Sequence, residues 1–301
     1  SGEFPSPTQL LNRRFMQQEL FSMFGIPWVA AIVAVFMWWF LTGLLLFIVK
    51  KVDQINENAH HLMAIASIPV LFLGCFMYWN TLSSITLSSV YWAFLGSLFI
   101  WAWFELAFLT GFLTGPIKES CPPNITNKDR FVHAWRNVAY SELILFTTLF
   151  AMTLLSLNAE NRVGLWTFWI LFFARICAKL NLFLGVPNVN SEFLPSPVKH
   201  LASHFKVGST SWFFPLSISV ISFTLFFWVD KIFSIKSDDI LVVGYTLLAS
   251  LTALALVEHW FMVVSVRDAE LWKWMLPRAV NRNKEIKARK KQIGSEKIHG
   301  L

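Results

Sequence analysis

The chain has 301 residues, of which 55% are hydrophobic and only 14% charged, and its formal net charge is +7. Soluble domains carry about 25% charged residues, so this composition excludes an ordinary soluble domain and specifies an integral membrane protein. Of the three cysteines, Cys75 and Cys177 lie in apolar stretches and Cys121 in a polar one, and nothing in that placement suggests a disulfide framework.

Residues 1–25 read as an N-terminal extension, and 1–7 are too short and polar for a signal peptide. Residues 26–266 then contain seven long apolar stretches, at about 26–49, 62–81, 90–112, 138–157, 164–186, 212–233 and 240–266. Each exceeds the ~18 apolar residues that span a bilayer at about 1.5 Å per residue. The expected fold is therefore an all-α integral membrane bundle of seven transmembrane helices. Gly43, Gly74, Gly96 and Gly111 suit close helix packing. After the last stretch, 271–276 (Leu-Trp-Lys-Trp-Met-Leu) reads as an interfacial segment. The remainder of 267–301 is a basic tail, suited to a solvated face or to anionic lipid.

Lysine and arginine predict the orientation. On the side of the membrane that holds the N-terminus lie Arg13, Arg14, Arg162, Lys231 and Lys236. The opposite side holds two in the first loop, four in the third, two in the fifth and ten after the last span, eighteen against five. The positive-inside rule then places the N-terminus outside and the C-terminus in the cytoplasm.

Ionisable side chains inside these stretches are the most informative feature, because each costs roughly 2.5–3.5 kcal/mol at a helix centre. Glu105, Glu142, Arg175, Lys179, Glu258 and His259 all fall within expected spans. Counting at 1.5 Å per residue puts them within about 10 Å of one depth, in the cytoplasmic half. Arg175 and Lys179 are four apart and share a helix face, so three carboxylates can face two cations. Either an interhelical ion-pair network or a polar pocket open to the cytoplasm satisfies that pattern. His259 can hydrogen-bond within the bundle or serve as an axial ligand to the magnesium of a chlorin, since neutral imidazole is a common metal ligand. Asn181, Asn188, Asn190 and Glu192 crowd amides and a carboxylate around the end of the fifth span. Such groups suit helix caps or recognition of a polar head group. Trp38, Trp39, Trp101, Trp103, Trp166 and Trp260, with Phe168, offer an aromatic face for a flat ring or a prenyl tail; stacked rings contribute roughly 0.5–1.5 kcal/mol per pair.

Catalytic signatures are missing: there is no P-loop, GxGxxG, paired CxxC or HExxH. Glu57 and His60 have ExxH spacing but no second copy. Nothing points to nucleic acid.

Several strings resemble the PuhE family of photosynthetic complex assembly proteins. They are Trp38-Trp39-Phe40-Leu41-Thr42-Gly43, then Trp101-Ala102-Trp103-Phe104-Glu105 with Thr114-Gly115-Pro116 and Cys121-Pro122-Pro123. Ala178-Lys179-Leu180-Asn181-Leu182-Phe183-Leu184-Gly185-Val186, Glu258-His259-Trp260-Phe261 and Leu271-Trp272-Lys273-Trp274 complete the match, over about 27–276. The resemblance implies a gene beside that of the reaction-centre H subunit, and a role in assembling the reaction centre and its core light-harvesting antenna. It also implies reaction-centre and antenna subunits as partners and bacteriochlorophyll or a precursor as a possible ligand. It brings no established catalytic residues. An assembly factor, a membrane enzyme acting on a pigment precursor or lipid, and a permanent accessory subunit all remain open at this point.

Overall fold

The computed structural model describes residues 23–55, 57–189, 191, 194–235 and 239–264. The readings for the N-terminal extension before residue 23, the 271–276 segment, the basic tail, Asn190 and Glu192 lie outside the described residues. All extended elements within them are α-helical or 3-10, and the only bridge is an isolated one between Val186 and Val207. The helices are α1 (Pro27–Val52), α2 (Glu57–Ala66), α3 (Ile68–Thr81), α4 (Leu87–Leu109), α5 (Asn127–Leu155), α6 (Val163–Leu184), α7 (Phe213–Ser234) and α8 (Asp239–Phe261), with a 3-10 segment at Ser196–His204. Seven helical stretches are long and apolar enough to cross a membrane, the second of them formed by α2 and α3 together.

The second span is broken where proline forbids a regular ladder. Pro69 has no N–H to give, and Ser67 separates α2 from α3. The Ala64 carbonyl beside the break accepts Ser67 Oγ at 2.9 Å and Trp103 Nε1 at 3.3 Å. An indole from α4 thus helps satisfy a backbone group that lipid cannot.

Helix α4 is the centre of the bundle, with 72% of its most apolar stretch buried. It starts on a capping box, Thr86 Oγ1 accepting Ser89 N–H and Ser89 Oγ accepting Thr86 N–H. Against α3 it packs through glycines: a Cβ on Gly74 would lie 2.8 Å from the Gly96 carbonyl, and one on Gly96 3.0 Å from that of Gly74. Against α6 it packs through Gly164, whose carbonyl accepts Ser97 Oγ at 2.7 Å. The expected small-residue packing is therefore found at Gly74 and Gly96. Gly111 instead sits at φ +71° just past the end of α4, a conformation that glycine adopts without a Cβ penalty.

Two ends differ from expectation. Helix α5 begins at Asn127, about three turns before its apolar stretch, because Thr126 caps it by accepting Asp129 N–H at 3.2 Å. Helix α8 ends at Phe261 rather than at 266, so Glu258 and His259 sit in its last turn. The 110–123 loop is laid onto α5: Ser141 N–H donates to Thr114 O at 2.9 Å, and a Cβ on Gly115 would meet the Arg136 carbonyl at 2.1 Å. The 3-10 segment packs Val198 and Leu201 on Phe108, next to the ionisable groups.

Candidate functional site

Arg175 and Lys179 lie one turn apart on α6, so both project toward the same neighbours. Arg175 Nη1 donates to Glu105 of α4, and its Nε lies 3.4 Å from Glu142 of α5. Lys179 Nζ donates to the same Glu142 oxygen. Ser141 Oγ, 3.4 Å from Arg175 Nη2, extends the contact along α5. Phe108 lies under both cations, 4.7 Å from the Arg175 guanidinium and 4.3 Å from Lys179 Nζ, and Trp101 is 5.8 Å from Arg175. Two carboxylates thus face two cations, and the quartet is neutral. Glu142 is 4% exposed, so its charge depends on the cations that meet it; leaving a buried charge with no partner costs about 3–5 kcal/mol.

Glu258 does not join this cluster. The expectation of three carboxylates around two cations is corrected here, because the last turn of α8 faces α1 rather than α6's cations. Its carboxylate accepts Trp38 Nε1 at 2.8 Å, and that is its one polar partner among the described residues. Between α1, α4, α6 and α8 lies a cavity of about 290 Å³, lined by Trp38, Trp101, Glu105, Arg175, Glu258 and His259 with leucine and alanine walls.

His259 is buried, and its Nδ1–H donates to Ala255 O at 2.7 Å. The carbonyl only accepts, so the lone pair sits on Nε2, the tautomer that a metal ligand requires. Nε2 has no hydrogen-bond partner and no exposed surface. The donor atom therefore suits a chlorin magnesium, but the space does not. Pockets for drug-sized ligands run to about 300–1,000 Å³, and a bacteriochlorophyll with its tail is larger than such ligands. The cavity does not enclose one, and Nε2 is covered by its own surroundings.

A family model described as "Protein of unknown function (DUF3623)" matches residues 24–283. The chain belongs to this family. A protein of Rhodobacter capsulatus, described as an uncharacterized 30.4 kDa protein in the puhA 5′ region, is 41% identical over 251 residues, which cover 83% of this chain and 91% of the relative. No solved structure matches. The match to the DUF3623 model takes in every described side chain of the quartet and of the cavity.

The remaining expected site residues of this DUF3623 chain are dispersed. Asn181 Nδ2 donates to Ser217 Oγ at 2.8 Å, joining α6 to α7, and Asn188 N–H donates to Met262 O at 3.0 Å; both are interhelical or loop ties. The tryptophans do not form one face. Trp38 and Trp101 line the cavity, whereas Trp103 serves the break in the second span. Trp39 and Trp260 point outward from α1 and α8. Trp166 belongs to a separate open groove of about 280 Å³ between α6, α7 and α8, with Trp169, Phe173, Phe223, Phe227 and Trp228. Helical rotation sends neighbours such as Trp38 and Trp39 to different faces.

Sequence reasoning did not single out His133 and His204. His133 Nδ1 lies 2.8 Å from His204 Nε2, tying α5 to the 3-10 segment, and Glu119 is 3.7 Å from His133. Burial and the neighbouring His133 hold the His204 pKa below its ordinary value; burial and Lys118 do the same for His200. His60 also takes a structural place, its Nε2 3.0 Å from Asp53, whose carboxylate accepts Ser196 N–H at 3.3 Å. Among the described residues, no group of three or more histidine, cysteine or acidic side chains is arranged to hold a metal ion.

Proposed function

We propose that this protein is a membrane assembly factor for the bacterial photosynthetic reaction centre and its core light-harvesting complex, a member of the PuhE type. One observation carries the reading: the Rhodobacter capsulatus relative, alike over nearly its whole length, lies in the puhA 5′ region. That position agrees with the PuhE resemblance of the sequence strings quoted above. The protein sits in the bacterial inner membrane with its N-terminus periplasmic and the 110–123 loop, the 3-10 segment and the C-terminus cytoplasmic, in keeping with the basic loops on that side. It acts by binding reaction-centre and antenna subunits within the bilayer. The neutral ion quartet fixes α4, α5 and α6 together so that the outer helices present a constant surface. Bacteriochlorophyll or a precursor would be met at the lipid-facing side, where the open groove of Trp166, Trp169 and Phe223 offers ring faces, rather than inside the cavity.

The test is purification from native membranes in mild detergent, followed by an absorption spectrum and a subunit inventory. Reaction-centre or antenna subunits co-purifying from growing cells, in excess over their ratio in mature complexes, support the assembly role. Fixed stoichiometry with the mature complex would make the protein a permanent subunit instead. Colourless, partner-free protein would overturn the reading and favour a membrane enzyme.

A further inference from the structure

Among the described residues, Glu258 is the carboxylate of the expected cluster that meets no cation. The quartet of Glu105, Glu142, Arg175 and Lys179 closes on itself with no charge left over. Glu258 keeps one indole N–H, from Trp38. It is also exposed, whereas Glu142 is buried. An acid inside a transmembrane helix is costly unless it finds a partner, and among the described residues Arg175 and Lys179 are engaged by Glu105 and Glu142.

The surroundings say what kind of partner suits it. Glu258 lies three residues from the end of α8, about 5 Å along the axis. That is the depth at which a lysine or arginine on a second helix extends its stem along apolar surface and its charge toward the interface. The cavity behind Glu258 has room for one such stem, about 290 Å³ with leucine walls and the Trp38 and Trp101 rings. It has no room for a helix. The accessible polar atoms near its mouth are the Glu258 oxygens, which accept, and one of them already takes the Trp38 N–H, so the site suits a further donor. On either side, Trp39 of α1 and Val257 and Trp260 of α8 present exposed apolar surface against which a helix can lie.

We propose that the mouth of this cavity receives a single lysine or arginine side chain from a membrane-inserted segment of a partner protein, paired with Glu258. This rests on the assembly role proposed above and names the partner chemistry of that role.

The test needs no photosynthetic subunit, so its outcome is separate from that of the purification. The full chain is reconstituted in phosphatidylcholine vesicles with a labelled synthetic helix of about 21 mostly leucine residues, carrying either one lysine or one methionine three residues from its end. Energy transfer reports association. The lysine helix is expected to bind about tenfold more tightly than the methionine helix, and Glu258→Gln is expected to abolish the difference. Trp38→Phe, which removes the competing N–H, should keep it. Equal association of the two helices with the wild-type chain overturns the proposal, as does a lysine preference that survives in Glu258→Gln. Should Glu258→Gln fail to fold, a helix with glutamate in place of the lysine gives the second reading: it is expected to bind the wild-type chain more weakly than the methionine helix, and equal or tighter binding overturns the proposal.

Discussion

The quartet around Arg175 and the mouth around Glu258 lie at similar depth in the same bundle and are built from the same residue types, yet they are opposites. In the quartet each charge meets an opposite charge from another helix, and the Phe108 ring lies against both cations. At the mouth a carboxylate meets one neutral donor and stays accessible. The difference is one of satisfaction rather than composition: a membrane-buried charge with all its partners inside the chain is a fastener, and one without is an invitation to something outside it.

The sharpest way to break this contrast is Arg175→Met. It leaves Glu105 without its cation and Glu142 with Lys179 alone. We expect about 3–5 kcal/mol of destabilisation, read as a lower denaturant midpoint in mixed micelles. A midpoint equal to that of the wild type would show that the quartet is not a fastener. Lys179→Met should cost less, about 1–3 kcal/mol, because Arg175 still reaches Glu142. If it folds as well as the wild type yet loses co-purifying subunits, the quartet has a binding role as well. Glu258→Gln keeps an acceptor for Trp38 and should change stability by less than about 1 kcal/mol in the same measurement; a loss comparable to that of Arg175→Met would place Glu258 among the fasteners.

The smallest effect concerns the 3-10 segment that lies over Phe108. Because His200 and His204 have lowered pKa values when packed, the unfolded segment takes up protons first. Docking is therefore full above the ordinary histidine value of about 6.5 and weakens as pH falls from there through the depressed values. Hydrogen exchange across 196–204 should quicken below pH ~6.5 in the wild type, keep only the His200 share of that dependence in His204→Gln, and lose it when His200 and His204 are both replaced by Gln.

Much of the architecture was legible in the sequence because apolar length is set by bilayer thickness, and seven stretches met it. The polar N-terminal turns of α5 were not, since a window that scores apolarity passes over Asn127 to Asn137 whatever their helical caps do. At the site, the pairing of Arg175 with Lys179 followed from their spacing alone. The separation of Glu258 from them did not, because residue counting gives depth along a helix and says nothing of the direction it faces in the bundle. One signal was available: Ala30, Ala34 and Trp38 repeat every four residues, and both alanines are fully buried. That stripe turns Trp38 inward and Trp39 outward. His133 and His204 lie 71 positions apart, and only the folding of the 3-10 segment onto α5 brings them together.

The glycine contact between α3 and α4 bears on how the chain is made. Backbone touches backbone at Gly74 and Gly96, leaving no gap that an acyl chain can fill, and only residues 82–86 join the two helices. Either helix alone would hold a trough along that face toward lipid. The two therefore cover that face only as a pair.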